Sequence, residues 1–157
     1  MVSDGSGLFS TAFGLPMHPL VVHAVVVLLP ISAVGLILVL ARPRWRTPFG
    51  YLALAGLLVG GAATLAAKES GEALASRVGL PQQHANLGSA LTFVTFWLIV
   101  CALGWFVASG VKGARWWLSI VLAIAAGALA VTTSVLTIAA GHTGASAVWA
   151  SRVAALR

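Results

Sequence analysis

Four side chains carry the clearest chemistry in this 157-residue chain: His18, His23, His84 and His142. A neutral imidazole offers one nitrogen lone pair to haem iron, copper or zinc, while a hydrogen bond fixes its other nitrogen. Two imidazoles on facing helices can take both axial positions of a haem, and helix bundles commonly hold cofactors this way. Glu69, Glu72, Gln82, Gln83, Asn86 and Thr143 lie close in sequence and are candidates to hold the outer nitrogens. Glu69 or Glu72 can also join imidazoles around copper or zinc. The metal-ligand set is therefore His18, His23, His84 and His142 with Glu72. The single cysteine, Cys101, excludes a disulfide framework, a four-cysteine cluster and covalent c-type haem. No nucleophile–base pair, phosphate loop, dinucleotide fingerprint or HExxH motif is present, so a binding protein or electron carrier is a better reading than a stand-alone enzyme.

The elements that must position these rings follow from composition. Sixty per cent of the residues (60%) are hydrophobic, 8% are charged, and the mean hydropathy is +1.03. A soluble domain carries about 25% charged residues. The net charge of +6 reflects scarce acids, three against nine basic residues, not a basic patch, and nucleic-acid binding is excluded. Four apolar stretches run about 19–41, 48–67, 85–109 and 116–141. Each is long enough to cross the roughly 30 Å of bilayer hydrocarbon as a helix. Continuous runs of this length are too long for barrel strands. The expected fold is all-α: one four-transmembrane-helix bundle over 1–157, multi-pass in a plasma membrane.

Loop charges give the orientation. Arg42, Arg44 and Arg46 fill the first connection, and Lys112 and Arg115 the third. Short basic loops stay cytoplasmic, so both termini and the 68–84 loop are expected outside. Trp45, Trp105, Trp116 and Trp117 suit one aromatic belt and Trp149 the other. The first segment lacks the basic start of a cleavable signal peptide. All four histidines then fall at the extracytoplasmic end. A single histidine at a membrane boundary is ordinarily just an interfacial polar residue; the shared placement of four points to a site. His23, about one turn inside the span, needs a partner. Pro30 is expected to kink the first helix, and Cys101 to pack inertly. The Gly56-x-x-x-Gly60 step allows close helix approach. The Ala-, Gly-, Thr- and Ser-rich fourth helix makes room for a flat ligand or for tight contact. No internal repeat is evident.

Three segments resemble a known family. LPMHPLVVHAVVVLLPI (15–31) is similar to the opening of the domain of unknown function 2231 family. ESGEALASRVGLPQQHANLGSALTF (69–93) is similar to its second loop, and AGHTGASAVW (140–149) to its closing Gly-His-x-Gly segment. The resemblance covers most of the chain. It implies a four-helix membrane domain of a bacterial plasma (inner) membrane, found in some members beside cytochrome c-like or Rieske-like modules, with family histidines matching His18, His23, His84 and His142. Ala24 stands where the family often has proline after the second histidine, and Pro30 follows later.

These observations lead to an extracytoplasmic b-type haem held by histidine. It would pass electrons between a membrane donor such as a quinone and an extracytoplasmic redox protein. The alternatives are a copper- or zinc-binding protein using the same histidines, and a structural or assembly subunit in a homo- or hetero-oligomer.

Overall fold

A computed structural model of the protein describes residues 11–111 and 115–156. Lys112 of the third connection lies outside them. A two-residue-per-strand hairpin comes first: β1 (Thr11–Ala12) pairs antiparallel with β2 (Leu15–Pro16). Its turn residues Phe13 and Gly14 both have positive φ, as tight hairpin turns of the type I′ class require.

Four helices follow: α1 (Met17–Ala41), α2 (Tyr51–Val78), α3 (Gln82–Ala108) and α4 (Trp116–Ala154). All four are long and apolar enough to span a membrane, and the chain is a multi-pass membrane protein. In lipid no water can satisfy exposed peptide groups, so each apolar run closes its own hydrogen bonds as a helix. The solvation is inverted relative to a soluble bundle. Leu52, Leu58, Val59, Phe93, Ile124, Val135 and Ile138 face outward, while Ser32, Thr64, Ser70, Thr95, Thr133 and Thr137 are buried.

Two helices exceed their expected lengths. α2 continues to Val78, so Lys68, Glu69 and Glu72 stand on helix where a loop was expected from residue 68. α4 continues to Ala154; its 39 residues span about 58 Å, well beyond the bilayer's hydrocarbon. Both tails are Ala-rich with no proline, so hydropathy falls without ending the helix. α1 runs through Pro30 as one continuous helix, and His18 lies inside its first turn.

α1 packs against α2 and α4, and α3 packs against the same two, so α1 and α3 stand on one diagonal. The first connection is a 3-10 turn (Pro43–Trp45) and a π turn (Arg46–Gly50). Arg46 donates to the carbonyls of Phe106 and Ser109, at 2.6 and 2.8 Å, and lies over the Trp105 and Phe106 rings. It thereby satisfies orphan carbonyls at the end of α3.

A repeat emerges in three dimensions. With an offset of 66 residues, buried Val25, Leu29, Ser32, Leu36 and Val39 of α1 match buried Leu91, Thr95, Leu98, Ala102 and Trp105 of α3. With an offset of 73, buried Ala53, Leu57, Gly60 and Thr64 of α2 match Ala126, Ala130, Thr133 and Thr137 of α4. No repeat of the kind that marks transporters was expected; the buried positions of α1–α2 and α3–α4 nonetheless follow one shared hairpin plan. Chemically unlike pairs such as Leu29/Thr95 hide it in the sequence.

Close approach at the Gly56-x-x-x-Gly60 step joins α1 to α2. A Cβ at Gly60 would lie 2.6 Å from Leu29 Cδ2, and one at Gly56 would run into Ser32 Oγ. Leu29 is fully buried and cannot yield. Gly60→Val is expected to lower the thermal midpoint in detergent by several degrees, an overpacking cost of about 1–3 kcal/mol. Gly88→Ala, where a Cβ meets nothing within 4 Å, keeps it at or slightly above the wild-type value; a Gly60→Val midpoint as high as the wild type's would remove the close contact from the account.

Candidate functional site

The histidine-bearing end of the bundle brings two of the four rings together. His18 on α1 and His84 on α3 meet across the diagonal, ring centroids 5.8 Å apart and planes at 83°. Both are half-buried. Each is held by the helix that follows it in sequence. The His18 Nδ1–H donates to the Ala67 carbonyl at 2.8 Å, and the His84 Nδ1–H to the Ala140 carbonyl at 2.9 Å. A carbonyl only accepts, so this bond puts the proton on Nδ1 and leaves Nε2 with a free lone pair. That is the tautomer a metal-ligating imidazole needs.

The two cradles are the same device. Ala67-Lys68-Glu69-Ser70-Gly71 on α2 and Ala140-Gly141-His142-Thr143-Gly144 on α4 share the pattern Ala-x-x-(Ser/Thr)-Gly. The hydroxyls of Ser70 and Thr143 each donate to the carbonyl that also takes the imidazole, both at 3.1 Å. Each also reaches the preceding carbonyl, Ala66 at 2.7 Å and Ala139 at 3.0 Å. The glycine one turn beyond the accepting carbonyl lets the ring lie against bare backbone. A Cβ at Gly71 would sit 3.1 Å from His18 Cε1, and one at Gly144 3.0 Å from His84 Cε1.

Helix carbonyls therefore do what was expected of Glu69, Glu72, Gln82, Gln83, Asn86 and Thr143. Thr143 takes part differently, by bonding the same carbonyl. Ala67, Ala140, Gly71 and Gly144 were missed because they bring no side-chain chemistry; the doubled Ala-x-x-(Ser/Thr)-Gly pattern was the available clue.

The other candidates lie elsewhere. His23 is exposed, its Nδ1–H bonded to the Pro19 carbonyl of its own helix. That bond is the partner the sequence required for it, without a site. His142 is exposed and lines an open groove with Gln82, Gln83, His84 and Ser146. Glu72 forms an exposed ion pair with Lys68, Nζ–Oε1 3.0 Å. Among the described residues no group of three or more His, Cys, Asp or Glu side chains is placed to share a metal ion. Four histidines and Glu72 do not form one coordination sphere. Cys101 packs half-buried beside the core, as expected. Trp149 is exposed, with the Arg152 guanidinium 5.2 Å above its ring.

Residues 14–157 match the profile of the DUF2231 family, described as a predicted membrane protein. The chain belongs to this family. No curated protein and no solved structure matches it. The matched region of this DUF2231 protein contains both rings and both cradles.

Nitrogen-15 spectra of histidine-labelled protein at neutral pH are expected to show His18 and His84 as Nδ1–H tautomers with slowly exchanging protons. Nε2–H tautomers at either position would contradict the cradle.

Proposed function

We propose that this protein is a membrane metal-centre protein in which His18 and His84 present their Nε2 atoms to a single iron, that of a b-type haem. The observation that carries this reading is the number and pose of the rings: two imidazoles, both fixed through Nδ1, facing each other across the bundle. Two imidazole nitrogens each about 2.0 Å from one ion put their ring centroids roughly 6 Å apart, against 5.8 Å here. Tetrahedral zinc wants four ligands, and the described residues supply two at this place. A porphyrin brings four nitrogens of its own and asks the protein only for the axial pair. The residues that hold the pair, Ala67, Ser70, Gly71, Ala140, Thr143 and Gly144, are all small.

A bound haem supplies a one-electron couple. The protein's part is to fix the axial rings and to set their basicity through the carbonyl bonds. The rings lie at one end of the bundle, opposite the Arg42–Arg46 connection. With that basic connection cytoplasmic, the pair lies toward the extracytoplasmic face. There it would pass electrons between a quinol in the bilayer and a redox protein outside. A second reading, two-coordinate copper(I) between the same nitrogens, is favoured by the same 5.8 Å spacing and does not need a porphyrin-sized cleft.

Protein produced with ample haem and purified in mild detergent is expected to show the reduced-minus-oxidised bands of a six-coordinate b-type haem. His18→Ala and His84→Ala each abolish them; His23→Ala and His142→Ala retain them. Gly144→Ala, acting through ring orientation, weakens haem binding about 10–100-fold. A protein that takes up no haem on supplementation defeats the first reading, and stoichiometric copper lost in both ligand variants establishes the second.

A further inference from the structure

Two hydroxyls deep in the bundle have no hydrogen-bonding partner among the described residues: Thr95 Oγ1 on α3 and Thr133 Oγ1 on α4. Thr95 is 1% exposed and Thr133 0%. In a helix a threonine hydroxyl readily bonds a carbonyl of the preceding turn, as Thr92, Thr132, Thr137 and Thr143 do here. Thr95 and Thr133 do not, and both point into the interior. The contacts of His84 with Ala140 and of Gly104 with Leu122 set the antiparallel register of α3 and α4. That register puts the two threonines within roughly one turn of the same depth. Thr95 faces α2 at Gly61, where a Cβ would lie 3.6 Å from its Cγ2. Gly60 packs on Leu29, and the repeat counterparts of these two residues are Thr133 and Thr95, so the shared hairpin plan sets the two threonines against each other.

We infer that Thr95 and Thr133 bind an internal water molecule at mid-depth of the bundle. This water is the inner end of a file of hydroxyls that descends from the imidazole pair. Buried water sits where a few polar groups converge that would otherwise go unsatisfied, and two hydroxyls each able to donate and accept meet that need. Ser70 and Thr143 lie at the rings; Thr64 and Thr137 lie six residues deeper, about 9 Å. All four are hydrogen-bonded to helix carbonyls and keep acceptor capacity. The Thr137 hydroxyl donates to the backbone carbonyl of Thr133 at 2.7 Å, one turn above the water site. The water site stands independently of the metal-centre reading.

The test uses the whole protein in lipid nanodiscs, with no cofactor required. Magnetisation transfer from water is expected at the Thr95 and Thr133 methyl groups and not at lipid-facing methyls of similar depth. Thr95→Val and Thr133→Val each strand the remaining hydroxyl and lower the thermal midpoint by about 2–4 °C. The double variant Thr95→Val/Thr133→Val strands neither and recovers to at least the single-variant values, without water transfer at either site. Dry hydroxyls give the opposite: no water transfer in the wild type and single substitutions that raise the midpoint additively. That result overturns the proposal, and the wild-type spectrum decides even where a variant fails to fold.

Discussion

The bond from each imidazole Nδ1–H to a carbonyl of the next helix is the interaction on which this site depends. A helix carbonyl in mid-helix already accepts from the amide four residues on, so it has one lone pair left. Here that lone pair takes an imidazole and, more weakly, a hydroxyl from Ser70 or Thr143. Interhelical hydrogen bonds in membranes average only about 0.6 kcal/mol, so two of them contribute little to the stability of a 157-residue bundle. Their effect is on chemistry. They choose the tautomer and fix the ring plane.

The same bond explains why the cradle needs glycine. A ring can reach a main-chain carbonyl on a neighbouring helix only where no Cβ intervenes. Gly71 and Gly144 meet that condition one turn beyond the accepting residues, where added methyls would press on Cε1 of each ring. Glycine inside a helix costs about 0.5–1 kcal/mol relative to alanine. Both hairpins accept that cost at the same place, and both satisfy the same geometry.

Membrane helices, their number and their approximate starts were legible because lipid imposes one rule on every residue of a span. Ends were less legible. Hydropathy falls at Lys68 and at Gly141, but helices end where the backbone is stopped, near Gly79 and beyond Ala154. The histidines were legible as a class and not as a site. Nothing in their spacing distinguishes His18, which crosses to His84, from His23, which bonds its own helix. The cradle was illegible for a different reason: it acts through main-chain oxygen and through the absence of side chains. Arg46 was read from loop charge as a marker of topology alone, and its closure of α3 became visible only once the Phe106 and Ser109 carbonyls stood beside it.

The repeat separates the four histidines by a criterion independent of distance. His18 and His84 occupy equivalent positions in the two hairpins, and so do the carbonyls and glycines that hold them. His142 corresponds to Glu69 and His23 to Ser89, so neither has an imidazole counterpart. Two copies of one plan, packed about a diagonal, can agree on a shared centre only at positions that face the axis. Positions facing lipid or solvent are free to diverge, and His23, Glu69, Ser89 and His142 do. The coincidence of symmetry, burial and Nδ1 geometry at one pair of rings is what sets His18 and His84 apart from the other two histidines. It also places any ligand they share between the two halves of the molecule, where each half is an incomplete site without the other.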